Sequence, residues 1–562
     1  MKKETRGRIL EAIAYIFISF LVVLIAINGV TPFKIPADGQ IHLARYEQVF
    51  QSLRHLKVPA EISFIGPGHN LNAVISCYPW LGGFLFILPR FFIFKHIMVA
   101  IFIGFWLVNL LTALAIFYLI RTLRCTNRLL RICLVTYWLF NSYHLNLLYF
   151  RMAFGEFLAY AYLPLAVAGI IKIGRKEKRG IYPLVLGMSG IANSHLLSLL
   201  IVTLGIGGYE LYGLVSGRFS KFEFKSLIIS VLSSLVLASY SLWGIFYIQA
   251  NNTVIVPFKN LSYVDLKQSI AAQLSGVITQ NSSMWGIGII GMILLVVVFV
   301  LSVKIKQIRS YIYICVLILI ITYLPLSNYP KLIQYFGFIQ FTGRLLTYVV
   351  LFQVMAMTIL VREFSGRAIK AITVFCAISV VCLGAISVVK HEQGKLQEND
   401  GLESYVYTIN STNYYQEVQA NNYGNFNDYL PGKGTMGSGP IYVHTDPWIN
   451  MTQVKGTYDR AEFKLVSGKS GLGSLALARY KGISYQIRLN GKKVNLVNSD
   501  GIKLSIPKGI SYLEVSSKPT TMTIIIFLAS LISYLIFGIT SLRCGGREKK
   551  VVICKHSITR RI

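Results

Sequence analysis

Residues 1–30 read MKKETRGRILEAIAYIFISFLVVLIAINGV, and this stretch sets the fold class. The apolar run from Ile9 to Val30 is long enough to cross a hydrocarbon core about 30 Å thick at about 1.5 Å of rise per residue. It is too long for a signal-peptide core and no small-residue cleavage site follows it, so a retained spanning helix is expected. Lys2, Lys3, Arg6 and Arg8 precede it, which places the N-terminus in the cytoplasm.

The rest of the chain has the same character. Of 562 residues, 54% are hydrophobic and 14% charged, where a soluble domain carries about a quarter charged. Mean hydropathy is +0.57. That apolar content excludes disorder, coiled coil and collagen, and the length excludes a small disulfide scaffold. A net charge of +32 would ordinarily suggest nucleic acid. Here the basic residues punctuate apolar runs, so they read as orientation signals instead.

Runs at about 97–120, 154–171, 196–215, 284–303 and 341–361 each end in a basic cluster, such as KIGRKEKRG or REFSGRAIK. Each is expected to return to the cytoplasm. Outward spans then fall at about 130–146, 181–194, 226–249, 310–326 and 371–389. The last inward span, about 523–539, precedes the tail RCGGREKKVVICKHSITRRI. The fold class expected is an α-helical polytopic membrane protein of about 12 spanning helices with both termini cytoplasmic. Trp80–Phe94, apolar but interrupted by Pro89 and Arg90, is expected to lie in the outer interface.

Four segments follow. Residues 1–389 form the polytopic domain, with an outer loop at 31–95; 390–521 form an extracytoplasmic β-rich domain. Residues 522–541 are the last spanning helix and 542–562 a basic tail. In the β-rich segment, ISYQIRLNGKKVNLV reads as two strands around Asn490–Gly491, a strong hairpin signal. GIKLSI and ISYLEVSS continue the pattern with Pro507–Gly509 as a turn. A small antiparallel sandwich is expected, and the segment contains no cysteine.

Ionisable residues at membrane depth or its rim are costly and are therefore candidates for function. In PADGQIHLARYEQVFQSLRHL, Asp38, His42 and Arg45 are spaced i, i+4, i+7, on one helix face. An acid, an imidazole and a guanidinium there suit a base, a hydrogen-bond partner and a phosphate clamp. The alternative is an Asp N-cap on a solvated amphipathic helix. In YFRMAFGEFLAYAYLPL, Arg151 and Glu156 suit either a polar cavity or a structural ion pair. His195 in ANSHLLSLL stands at a junction between spans, and Arg344 in FIQFTGRLLTYVV at the outer end of an inward span. Arg is the preferred bidentate partner of phosphate; the alternative for Arg344 is snorkelling to headgroups.

There is no Walker-type glycine loop, no His/Cys metal cluster and no G-x-S-x-G elbow. A nucleotide or redox cofactor is not expected, nor is a nucleic-acid partner. Any chemistry would lie on the outer face and use a lipid-delivered or extracellular substrate.

Taken together, an outer Asp followed by H-x-x-R, an R-x-x-x-G-E segment opening a later helix, a Ser-His between spans and Q-F-x-x-R-L resemble a bacterial multi-spanning family. It is known as YfhO-like, or "6-pyruvoyl-tetrahydropterin synthase-related" membrane proteins. D-Y-L-P at Asp428–Pro431 and the strand pair at Tyr480–Lys492 also resemble that family's outer domain. The family is similar in layout to the GT-C glycosyltransferases, which use sugars carried on polyprenyl phosphate.

The resemblance implies that Asp38 is the catalytic carboxylate. His42, Arg45, Arg151, Glu156, His195 and Arg344 would bind substrate, shaping the cavity and holding the lipid phosphate. The implied partners are a polyprenyl-phosphate-linked sugar, a cell-envelope glycan or polymer acceptor, and the bilayer of a bacterial plasma membrane. The chain departs from the pattern twice: one Asp replaces an acidic pair, and Thr342–Gly343 stands where Pro-Trp is expected. A divalent cation would help the departing phosphate, but one carboxylate is a poor Mg²⁺ or Mn²⁺ site. A lipid-linked sugar flippase and a non-enzymatic envelope-assembly protein are the competing readings.

Overall fold

The computed structural model describes residues 2–27, 33–36, 38–66, 68–364, 366–392, 407–419, 427–433, 444–496 and 501–558. Part of the expected entry to the β-rich segment (393–406) and the end of the tail (559–562) lie outside the described residues.

The main helices are α1 (Lys2–Ile27), α2 (Gly39–Arg54), α3 (Ile97–Thr122), α4 (Arg128–Phe140), α5 (Phe154–Gly174), α6 (Ile181–Ala192) and α7 (Leu196–Val215). They continue as α8 (Lys221–Leu237), α9 (Ser239–Asn251), α10 (Ile289–Lys304), α11 (Lys306–Tyr323), α12 (Leu346–Glu363), α13 (Arg367–Glu392) and α14 (Thr521–Ile558). Among the described residues, eight helices are long and apolar enough to cross a membrane: α1, α3, α5, α7, α11, α12, α13 and α14. The pair α8–α9, bent by 67°, makes a ninth if it is one span.

Sequence spacing led to about twelve. The difference lies at α4, α6 and α10, which are helices of 13, 12 and 16 residues. At about 1.5 Å per residue each falls short of a 30 Å core as a single helix. Trp80–Phe94 breaks into short helical turns, Leu81–Gly83, Phe84–Ile87 and Leu88–Phe91. It packs on α3, with Phe86 edge-on to Phe105 at 5.1 Å.

Polar groups fix several helix pairs. Arg131 of α4 grips Glu11 of α1, Nε to Oε1 at 2.7 Å and Nη2 to Oε2 at 2.6 Å. α5 and α6 pack backbone to backbone, because a Cβ on Gly187 would stand 2.4 Å from the Ala166 nitrogen. Small residues allow such close approach where no hydrophobic force drives helices together. At the α8–α9 break, the Leu237 carbonyl accepts from Ser530 Oγ at 2.8 Å and Asn193 Nδ2 at 3.4 Å. Neighbouring helices thus satisfy a carbonyl exposed by the bend.

The strands are β1 (Phe33–Ile35), β2 (Leu261–Ser262), β3 (Gln340–Phe341), β4 (Tyr407–Ile409), β5 (Ile449–Gly456), β6 (Arg460–Ser467), β7 (Gly471–Ala478), β8 (Tyr485–Leu489), β9 (Lys492–Lys493), β10 (Gly501–Ile506) and β11 (Gly509–Ser517). A five-stranded sheet runs β5-β6-β11-β8-β9, and β10 pairs with β7 in a separate two-stranded sheet. The β8–β9 hairpin turns on Asn490 (φ 51°) and Gly491 (φ 78°), both left-handed as a type I′ turn requires. The turn at Pro507–Gly509 joins β10 to β11, which lie in different sheets, so it crosses between sheets and closes no hairpin.

This β-rich region has its own apolar core, including Phe463, Leu477, Leu504 and Val515. Ile62, Phe64 and Leu71 of the first loop and Val254 and Ile255 belong to the same core. β1 pairs antiparallel with β4, Phe33 opposite Ile409. Glu61 Oε1 accepts from the Thr520 backbone nitrogen and from Thr523 Oγ1, both at 2.8 Å. A carboxylate at the N-terminus of α14 is favoured by the helix dipole. The first loop therefore links the helical bundle to the β-rich region.

Candidate functional site

α2 begins at Asp38, whose backbone N–H donates to the Arg151 carbonyl at 3.2 Å. That bond fixes the start of α2 beside the turn that precedes α5. The Asp38 side chain does not cap the helix. Nor is α2 solvated: His42, Arg45, Glu47 and Gln48 are all buried. The capped, solvated alternative is not what forms here.

Asp38 itself is exposed, and no donor bonds its carboxyl among the described residues. Protein nevertheless crowds round it. Loss of hydration to the surrounding protein pushes its carboxyl pKa up, Arg151 and Arg344 draw it down, and Glu156 pushes it up.

Glu156 lies in the first turn of α5 and is buried. Its Oε2 receives Arg151 Nη1 at 3.0 Å and lies 3.5 Å from Arg344 Nε. Its Oε1 accepts from the Tyr143 hydroxyl at 2.5 Å. Arg151 also stacks over Trp285 at 4.4 Å, and Arg344 Nη1 donates to the Ile339 carbonyl at 3.0 Å. One carboxylate thus faces two guanidinium groups.

His42 and Arg45 form the next layer. Arg45 Nη2 donates to His42 Nδ1 at 3.2 Å, because a guanidinium has no acceptor. Burial first, then the charge of Arg45, hold the His42 pKa well below its ordinary value. The imidazole is therefore neutral, with its proton on Nε2. Arg45 Nη1 donates to the Tyr78 carbonyl at 2.9 Å, and the guanidinium lies 4.4 Å from the centre of the Tyr78 ring. His195 caps α7, its Nδ1 accepting from the Ser198 backbone nitrogen at 3.3 Å.

Asp38, His42, Arg151, Glu156, His195 and Arg344 thus share one electrostatic cluster. Arg45 stands one step away, behind His42. Glu156, His195 and Arg344 also line a narrow, nearly filled crevice between α5, α7 and α12. Its other walls include Ala159, Leu163, Leu197, Ile201 and Val202. A polar cluster and an apolar slot suit an amphiphile with a charged or sugar-bearing head.

Sequence reading missed Tyr143, Tyr78 and Trp285, which carry no motif. It noted Asp428 within D-Y-L-P without giving it a role. Asp428 lies in the electrostatic field of Asp38, and burial together with that charge pushes its carboxyl up to about 6. Among the described residues, no group of three or more His, Cys, Asp or Glu is placed to hold a metal ion.

The chain matches no protein-family model, no curated protein and no solved structure.

Proposed function

We propose that the chain is a membrane glycosyltransferase of GT-C type, moving a sugar from a polyprenyl-phosphate donor to a cell-envelope acceptor on the outer face. The carrying observation is Asp38: an accessible carboxyl without a hydrogen-bond donor among the described residues, within the electrostatic reach of two arginines that a single buried glutamate holds in place. A carboxylate that already bonded a cap or an arginine would make a weaker base.

In this reading Asp38 takes the proton of the acceptor hydroxyl. The acceptor oxygen forms a bond to the anomeric carbon while the bond from that carbon to the phosphate oxygen breaks. The electron pair leaves with the polyprenyl phosphate, and configuration inverts. Arg344 and Arg151 meet the developing charge, and preorganised donors of this kind are the largest single aid to such steps. Leu163, Ile201 and Val202, which close the crevice beside Glu156 and Arg344, would have to part to take the first isoprene units. Twelve crossings, cytoplasmic termini and an extracytoplasmic β-rich region belong to the same proposal, because the donor must meet Asp38 on the outer side.

The test is sugar transfer by purified protein from a radiolabelled polyprenyl-phosphate sugar to envelope polymer, comparing wild type with Asp38→Asn and Asp38→Ala. Loss of transfer at normal protein level supports the reading, and unchanged transfer sinks it. Movement of the donor across vesicles without transfer would favour the flippase.

A further inference from the structure

Away from the candidate site, the end of the bundle that carries the N-terminus holds a cavity of about 310 Å³ between α1 and α3. Small-molecule sites usually measure about 300–1,000 Å³. Arg8, Ala12 and Ile16 of α1 and Leu110, Leu114 and Arg121 of α3 line it. On α1 these residues recur every four positions, which sets them on one helix face. Ala12, Ile16 and Leu114 are exposed, so the cavity opens on the outside of the bundle, where spanning helices meet lipid.

Tyr15 packs on Phe117 with ring centres 4.9 Å apart, and Trp106 Nε1 donates to Ser19 Oγ at 3.2 Å. The two helices therefore run antiparallel, and Arg8 and Arg121 stand at the same end. Leu110 lies eleven residues before Arg121 on α3, about 16 Å at about 1.5 Å per residue. That is about half of a 30 Å hydrocarbon core, the depth of one leaflet.

The charges at the mouth are poorly matched. Glu11 is the one carboxylate among the lining residues, and it is already engaged. Its Oε1 accepts from Tyr15 and from Arg131 Nε, both at 2.7 Å, and its Oε2 from Arg131 Nη2 at 2.6 Å. Arg8 pairs with Glu4, but those side chains are 72% and 64% exposed, and such a surface pair contributes little. Arg121 lies 5.7 Å from the centre of the Phe117 ring and has no carboxylate partner among the described residues. Two guanidinium groups thus stand at the head of an apolar groove one leaflet deep. Basic pockets between spanning helices bind anionic lipid headgroups, and a guanidinium fork matches phosphate oxygens.

We propose that the groove between α1 and α3 binds an anionic glycerophospholipid, its phosphate held by Arg8 and Arg121 and one acyl chain laid against Ala12, Ile16, Leu110 and Leu114. Glu11, neutralised by Arg131, does not repel the phosphate. The site is separate from the Glu156 cluster and independent of the function proposed above.

The experiment compares lipid retention by the full-length protein. Protein in detergent is mixed with equal amounts of phosphatidylglycerol and phosphatidylcholine of the same chains, and bound lipid is counted by native mass spectrometry. Phosphatidylglycerol is expected to be retained in preference. Arg121→Gln should lower its retention about fivefold. Arg8→Gln should do the same, which gives an independent reading should the first variant fold poorly. Arg218→Gln removes an exposed basic residue outside the groove and should change nothing. Leu114→Trp fills the groove, leaves both arginines in place and should also lower retention. Equal retention of the two lipids, no fall in either groove arginine variant, or an equal fall in Arg218→Gln would overturn the site in favour of general attraction to a basic surface. Unchanged retention in Leu114→Trp would overturn it too, because the phosphate would then be held without the groove.

Discussion

Arg151 donates Nη1 to Glu156 Oε2 at 3.0 Å, and both side chains are buried. The pair is five residues apart in sequence, across the turn that begins α5. Arg344 approaches the same oxygen at 3.5 Å from the helical turn Thr342–Leu345 that precedes α12, so one carboxylate neutralises cations from two separated parts of the chain.

Removing that carboxylate leaves two guanidinium groups facing each other in a poorly solvated place. Breaking a buried pair by deleting one partner costs about 3–5 kcal/mol. Glu156→Gln keeps the shape and should lower the thermal midpoint of detergent-solubilised protein strongly. Arg344→Gln should cost less, because Glu156 retains Arg151 and Tyr143. Equal losses in the two variants would contradict the shared-carboxylate arrangement.

The second buried grip lies away from the site. Arg131 holds Glu11 through two parallel bonds and also donates to the carbonyls of Cys125 and Thr126. Glu11→Gln should destabilise by about 3–5 kcal/mol. In the double variant with Arg131→Met the loss should be smaller than the sum of the two single losses, because the second change removes the charge the first left unpaired. A double-mutant cycle by urea unfolding in micelles checks this, and additive losses would show that the two side chains do not couple.

The membrane class was legible at once, because apolar length and basic punctuation are local properties. So was the Asn490–Gly491 hairpin, whose turn needs only two residues of the right kind. The number of crossings was less legible: α4 and α6 are short helices in apolar stretches longer than themselves, and apolarity does not show where a helix breaks. The sequence spacing drew Asp38, His42 and Arg45 onto one face. Tertiary contacts instead turned Arg45 toward Tyr78, whose carbonyl and ring both receive it. The electrostatic reach of Asp38 to Asp428 could not be foreseen, since loop contacts across such separations leave no periodic signal.

Helix contact between α5 and α6 depends on the missing side chain at Gly187. A methyl group there would stand 2.4 Å from the Ala166 nitrogen and 2.9 Å from the Ala166 Cβ, and the backbone has no rotamer with which to give way. Gly187→Ala should force the helices apart and cost about 1–3 kcal/mol, the usual range for overpacking. On an isolated helix the same change would help by about 1 kcal/mol, so a destabilised variant in thermal unfolding separates packing from propensity. A stabilised one would mean that the helices do not approach so closely.

Asp428 gives the pH prediction. Its carboxyl is raised from an ordinary value of 3.8 to about 6, first by burial and then by the charge of Asp38. The folded protein therefore holds this proton more tightly than the unfolded chain does. The associated stability is fully present below about pH 4 and is lost as pH rises through about 6. At 1.36 kcal/mol per pH unit, the contribution is at most about 3 kcal/mol, less where solvent reaches the group. Asp428→Asn resembles the protonated form, so it should lack this loss. The difference in unfolding midpoint between wild type and Asp428→Asn should be small near pH 4 and should grow in favour of the variant up to about pH 7, following the titration of this one carboxyl. A difference that stays constant across that range would show that Asp428 ionises alike in the folded and unfolded protein.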